Sequence, residues 1–189
     1  IPMSLAKDVV DELGNTRLVS LGGATEATVW SNFFDVKYID PGWKSIPYGK
    51  PIQNARYYIL DELRRPCEIG RKGRLFIGGE CLSDGYINNQ AITEKAFVDD
   101  EFLPDGKKGI MYDTGDLARY MDDGNIEFLG RADTQVKIRG YRVELSEIAH
   151  VMKEVGYVDP IVLVENRKGS QVLLGFCLRP RLPEGKYSD

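Results

Sequence analysis

The sequence predicts an α/β chain that becomes α+β in its later part, and three observations carry that prediction. Leu5, Val9, Val10 and Leu13 recur at helical spacing near the start. Short apolar runs separated by turn residues fill the stretch from about residue 48 to Leu129. Beyond Arg131 a strand pattern, a helical pattern and a hairpin pattern follow one another.

Taken in order, the first helical pattern stops at Gly14-Asn15, a helix-ending pair, and residues 17–21 read as a short strand feeding Gly22-Gly23. The middle of the chain offers strands at 57–60, 74–77 and 125–129. Asp123-Gly124 supplies the positive φ of a tight connection before the last of them. Together they predict a β-rich unit, a distorted β-barrel, interrupted by one helical insertion at 91–97. Val136 to Ile138 then reads as a strand, and Leu145, Ile148, Met152 and Val155 mark one face of a helix. Residues 160–164 and 171–178 read as a hairpin closed near Lys168-Gly169-Ser170, giving a β-α-β-β order. The boundary falls at Ala132-Asp133, so the expected units are 1–131 and 132–189. There is no internal repeat and no low-complexity segment.

Composition excludes several classes of function. With 189 residues, 42% of them hydrophobic and 29% charged, the chain can bury a core. No run approaches the ~18 consecutive apolar residues of a membrane helix, and the first residues lack the basic-then-apolar layout of a signal peptide. The expectation is a cytoplasmic location with no membrane partner. A formal charge of -4 argues against a general polyanion-binding surface, so nucleic acid is not an expected partner. Cys67, Cys81 and Cys177 have no CxxC spacing and His150 is the one histidine; the cysteines read as reduced, mostly packed thiols and not as a metal cluster.

Chemistry concentrates in two constellations. Gly22-Gly23-Ala24-Thr25-Glu26 lets a backbone approach a ligand closely, offers a hydroxyl to a phosphate oxygen, and sets beside it a carboxylate able to hold magnesium. Alone, a Gly-Gly pair is more often only a turn. The second constellation is Tyr112-Asp113-Thr114-Gly115-Asp116-Leu117 followed by Gly130-Arg131-Ala132-Asp133-Thr134-Gln135-Val136-Lys137-Ile138-Arg139-Gly140-Tyr141-Arg142. It reads as a carboxylate in a tight turn, then an arginine and a lysine set around a short strand. Asp116 can accept two hydrogen bonds from vicinal ribose hydroxyls, and Arg131 and Lys137 can donate to ribose or phosphate oxygens. Singly, such charges would be a solvated hairpin pair worth ~0–1 kcal/mol.

Occurring together and in order, with Gly73-Arg74-Leu75-Phe76-Ile77-Gly78-Gly79 and Gly85-Tyr86 between them, these segments resemble the adenylate-forming enzymes. More narrowly, the chain is similar to the C-terminal part of a nonribosomal peptide synthetase adenylation domain. On that resemblance, residues 1–131 are the end of the large adenylation core and 132–189 the start of the small C-terminal subdomain. The resemblance implies that Thr25 touches the α-phosphate of ATP and Glu26 coordinates magnesium, with Gly22 and Gly23 lining the nucleotide. It implies that Asp116 holds the ribose hydroxyls with help from Arg131, that Phe128 lies near the nucleoside, and that Lys137 acts just past a hinge at Asp133. Gly140, Tyr141 and Arg142 would belong to the loop facing phosphopantetheine on a partner peptidyl carrier domain.

Departures from the family pattern sharpen the reading. Gly22-Gly23-Ala24 stands where an aromatic-Gly-Pro usually precedes Thr-Glu, and Ser20-Leu21-Gly22-Gly23-Ala24-Thr25-Glu26 resembles the subgroup that activates cysteine. Leu21, Val29 and Trp30 fall at pocket positions and would form an apolar, tryptophan-walled site suited to a small thiol side chain, which implies L-cysteine as the amino-acid substrate. The upstream phosphate loop and the far adenylation lysine have no counterpart in the sequence; Lys186 follows Arg131 too closely and reads as a surface residue. The chain is therefore expected to be part of a longer synthetase, inactive on its own, with a methyltransferase-like insert as a candidate neighbour after residue 178. Two alternatives are an acyl- or aryl-CoA ligase of the same superfamily and a non-catalytic scaffold built on a degenerate adenylation fold.

Overall fold

A computed structural model describes residues 3–13, 16–43, 45–132, 135–138, 141–167 and 170–178. The chain divides into two compact units, Ile1–Ala132 and Asp133–Asp189.

The first unit opens with helix α1 (Met3–Glu12) and a three-stranded antiparallel sheet of β1 (Leu18–Gly22), β2 (Asn32–Val36) and β3 (Lys50–Pro51). The helix stands where expected, but a different stripe is buried. Ala6 is fully buried and Met3 and Val10 pack around it against Val36 and Ile46, whereas Leu5 and Leu13 are exposed. Positions 3, 6 and 10 are also one helical face, and the small Ala6 side chain permits close approach to the sheet.

The larger sheet lies in a stretch with little helix: β4 (Ala55–Leu60), β5 (Gly73–Gly79), the short helix α2 (Gln90–Ala96), β6 (Phe97–Asp99), β7 (Ile110–Tyr120) and β8 (Ile126–Arg131). Its order is β4-β5-β7-β6, with β8 also on β7, and every pairing is antiparallel. The result is a curled half-barrel. Alternation along the strands gives it two apolar faces. Tyr57, Ile59, Leu75, Ile77, Ala118 and Ile126 form one core with Ala27, while Leu60, Phe76 and Met111 form another on the opposite side. Each fully buried Ile or Leu here contributes about 1.5–3 kcal/mol of transfer free energy.

One expectation is corrected in this sheet. The Asp116 segment is not a tight turn but the middle of β7, the longest strand of the unit. Its Asp-Thr-Gly-Asp composition writes a bulge instead. Gly115 has φ 72°, and the register with β5 shifts across it, while the register with β8 shifts further along, between Leu117 and Ala118. By contrast, Asp123-Gly124 does close the β7–β8 hairpin, with Gly124 at φ 77° and the Asn125 N–H donating to Asp123 Oδ1.

The second unit contains β9 (Gln135–Ile138) paired with β10 (Tyr141–Glu144), helix α3 (Leu145–Glu154), and the hairpin of β11 (Val158–Arg167) and β12 (Ser170–Leu178). The strand β10 adds a β to the expected β-α-β-β order. Leu145 is buried in α3, and Met152 lies over Gly175 of β12. Val155 is exposed, because the helix ends before it at Glu154. Gly14, Asn15, Asp133, Thr134, Arg139, Gly140, Lys168, Gly169 and the tail with Lys186 lie outside the described residues, as do the side chains of Lys137 and Arg142. Cys67 is buried, Cys81 half-buried and Cys177 exposed, all free. Among the described residues, no helix is long and apolar enough to cross a membrane.

Candidate functional site

Asp116 and Arg131 are cross-strand partners in the β7–β8 ladder, so the sheet itself brings them together. Arg131 Nη1 donates to Asp116 Oδ1 at 3.0 Å and to the Thr114 carbonyl at 2.7 Å. The carbonyl belongs to the bulge, so one guanidinium fixes both the carboxylate and the irregular backbone that presents it. Thr114 completes the brace: its hydroxyl donates to the Leu75 carbonyl at 2.7 Å and accepts from the Asp116 N–H at 3.0 Å. The second carboxylate oxygen, Oδ2, accepts from the Tyr48 hydroxyl at 3.2 Å. Tyr48 in turn stacks on Phe128, with centroids 5.2 Å apart and planes 11° from parallel. Burial, followed by the Asp116 charge, pushes the Tyr48 phenol well above its usual range, so it stays a neutral donor.

Glu26 occupies the connection between β1 and β2. A short 3-10 turn, Thr25–Ala27, carries it, and Ala27 is fully buried in the sheet core. Gly23 makes the turn possible: at φ 157° an added Cβ would lie 2.7 Å from both the Ser31 nitrogen and the Val29 carbonyl oxygen. Thr28 and Val29 follow with φ of 57° and 73°, rare for a β-branched residue, and the Thr28 hydroxyl donates to the Cys81 carbonyl at 2.6 Å. The Glu26 carbonyl accepts from the Ser83 N–H, and its buried carboxylate accepts from the Tyr86 hydroxyl. Burial, followed by the Glu26 charge, raises the Tyr112 phenol well above its ordinary range.

Buried tyrosines feel the charge of each carboxylate. Tyr112 precedes Asp116 on β7, and its phenol is raised in part by the Glu26 charge. Tyr57 bonds Ser31 Oγ at 2.7 Å and accepts from Asn32 Nδ2 at 2.9 Å, at the base of the Glu26 connection. Its phenol is raised chiefly by burial and, more weakly, by the Asp116 charge. Thr25 is exposed beside Glu26, and Gly22 is half-buried with its Cα against Asn32. Leu21, Val29 and Trp30 are 46%, 63% and 58% exposed. In the second unit, Lys137 pairs with Arg142 across β9 and β10, and Tyr141 is exposed at the start of β10.

Tyr48, Tyr86 and Tyr112 are the contributors that sequence reasoning missed. Tyr112 lies inside the quoted motif, and Tyr86 in Gly85-Tyr86, yet neither showed its partner. Tyr48 carries no local signal at all.

Glu26 brings a single buried carboxylate, with the exposed Thr25 beside it. Among the described residues no group of three or more His, Cys, Asp or Glu could enclose a metal, so an all-protein cage is not on offer. Magnesium typically takes one or two carboxylates and completes its shell with phosphate oxygens and water.

Residues 1–87 match the family described as AMP-binding enzyme. The chain is 43% identical over 152 residues to bacitracin synthase 1 of Bacillus licheniformis, covering 80% of this chain and 3% of that protein. It is 45% identical over 156 residues to bacitracin synthase 2 of the same organism, covering 82% of this chain and 6% of that protein. Among solved structures, holo-PA1221, a nonribosomal peptide synthetase protein with adenylation and carrier (PCP) domains bound to a vinylsulfonamide inhibitor, superposes with TM-score 0.80 at 33% identity, over 92% of this chain and 30% of that one. IdnL1 superposes with TM-score 0.83 at 30% identity, over 100% of this chain and 38% of that one. The chain thus spans only a small part of the length of the curated relatives it matches.

Proposed function

We propose that this chain, which belongs to the AMP-binding, adenylate-forming ligase family of nonribosomal peptide synthetase adenylation domains, supplies the ribose- and phosphate-facing part of an ATP-dependent amino-acid-activating site. The observation that carries the reading is the Asp116–Arg131 pair, fixed across two strands and met by Tyr48. A carboxylate braced this firmly presents acceptor oxygens in fixed directions, which is what recognition of two vicinal hydroxyls requires. Phe128, held by its stack on Tyr48, is the aromatic surface for the nucleoside.

In this reading Gly22, Gly23 and Thr25 line the α-phosphate, and Glu26 would hold magnesium. When bound, the ion neutralises phosphate charge. The substrate carboxylate attacks the α-phosphorus, the bond to pyrophosphate breaks, and aminoacyl-AMP forms. In a second step a phosphopantetheine thiol on a carrier domain attacks the acyl carbon and AMP leaves with the bonding electrons. Lys137, the hinge residue Asp133 and the loop of Gly140, Tyr141 and Arg142 serve the change between these steps. Positioning and fixed charge supply most of such catalysis.

Leu21, Val29 and Trp30 form part of the side-chain pocket, and L-cysteine is the proposed substrate. The apolar exposure of these three residues beside Glu26 supports that choice. ATP–pyrophosphate exchange across amino acids on the full-length protein carrying this chain is the test. Preference for cysteine supports the assignment; clear preference for another amino acid retires the substrate while leaving the nucleotide site intact.

A further inference from the structure

The environment of Glu26 is built more elaborately than a surface loop needs. Glu26 is 5% exposed and its carboxylate accepts from the hydroxyl of Tyr86, which precedes α2, while the buried phenol of Tyr112 on β7 lies within reach of its charge. Neither tyrosine arrives by accident. Gly85 has φ 127°, and its Cα passes so close to α2 that an added Cβ would lie 2.4 Å from Thr93 Cγ2. The Tyr86 N–H then donates to Thr93 Oγ1 at 2.9 Å, which aims the ring back toward the β1–β2 connection. Thr93 is itself in a helix capped by Asn89, whose Oδ1 accepts from the Ile92 N–H. Tyr112 is 3% exposed in β7, opposite Ile77 on β5 and Phe97 on β6. The Phe97 ring packs against both phenols, at 6.1 Å from Tyr86 and 5.3 Å from Tyr112. One ordered phenol, Tyr86, therefore bonds the buried carboxylate, and Phe97 wedges it against a second, Tyr112.

Buried carboxylates need fixed donors, and groups that orient a metal's ligand commonly matter nearly as much as the ligand. We propose that Tyr86 and Tyr112 are positioning residues that jointly hold the Glu26 carboxylate in the orientation that receives the cation of a bound nucleotide. This rests on the reading of Glu26 given above. The pair also ties that orientation to two distant pieces of chain, because displacing either α2 or β7 would turn the carboxylate.

Calorimetric titration of ATP into the full-length protein, with magnesium and then with EDTA, isolates the magnesium-dependent gain in affinity. Tyr86→Phe and Tyr112→Phe keep the rings and remove the hydroxyls. Each is expected to reduce that gain roughly 10-fold while leaving ATP affinity in EDTA unchanged. The double variant should lose little more than the worse single one, since both act on one carboxylate. A purely structural role would instead lower the melting temperature and weaken ATP in both buffers equally. Magnesium gains that match wild type in both variants overturn the proposal, and half-buried Tyr86 keeps the test decisive should Tyr112→Phe fail to fold. Glu26→Gln separates the two claims. If it abolishes the magnesium gain while the phenylalanine variants do not, the reading of Glu26 stands and the tyrosine pair falls; if it leaves the gain intact, both fall.

Discussion

The two carboxylates of the site are held by different means. Asp116 is placed by a ladder: β7 and β8 set it opposite Arg131, and the bulge at Gly115 turns it toward Tyr48. Glu26 is placed by a loop whose geometry comes from left-handed residues, one buried alanine and two tyrosines drawn from elsewhere. The ladder gains its precision from backbone pairing that many residues share, so no single contact is indispensable to its shape. The loop depends on a few positions, each close to its steric limit.

The sharpest way to break that contrast is at Gly23. Gly23→Ala drives a Cβ into the Ser31 and Val29 backbone and should cost about 3 kcal/mol, read by denaturant unfolding. A cost below about 0.5 kcal/mol would mean that the loop is not fixed as described. Next in size is Asp116→Ala, which leaves the guanidinium of Arg131 beside the Thr114 carbonyl without its carboxylate. Nucleotide affinity of the full-length protein should fall roughly 30-fold, ~2 kcal/mol, while β7 and β8 keep their pairing by amide hydrogen exchange. Tyr48→Phe removes one hydroxyl and keeps the stack on Phe128; a loss of about 1 kcal/mol, roughly fivefold in affinity, is expected. Trp30→Ala should change stability by less than about 0.5 kcal/mol, because the side chain is 58% exposed, yet shift amino-acid preference in the exchange assay.

The phenols give the contrast a pH signature. Tyr48 and Tyr112 are both raised, chiefly by burial, so the folded state holds their protons more tightly than the unfolded chain does. The sign follows: their contribution is fully present below the ordinary tyrosine value of about 10, and stability declines as pH rises beyond it. Melting temperatures measured from pH 8 to 11 should be level and then fall. Tyr112→Phe and Tyr48→Phe should each make that fall shallower.

Much of the ladder was legible in the sequence. Short apolar runs between turn residues located β4, β5 and β8, and the Asp-Gly pair located the hairpin between β7 and β8. Asp116 and Arg131 could be named because they stand in a recognisable string. The strand β7 was misread as a turn because Asp113, Thr114, Gly115 and Asp116 are turn formers by composition; pairing on both edges overrides that local preference. The helix α1 was found but its buried face was not, since Leu5 outranks Ala6 in hydrophobicity although only Ala6 fits against Val36 and Ile46. The tyrosines at 48, 86 and 112 lay beyond reach for a simpler reason. They converge on the carboxylates from three separate stretches of chain, and no local pattern encodes such a meeting.

The most direct measurement is a crystal structure of the full-length protein with a non-hydrolysable aminoacyl-adenylate analogue. The account predicts both ribose hydroxyls within hydrogen-bond distance of the Asp116 carboxylate, the Arg131 contact retained, and the base beside Phe128. A fully occupied analogue whose ribose lies away from β7 and makes no hydrogen bond to Asp116 would contradict it.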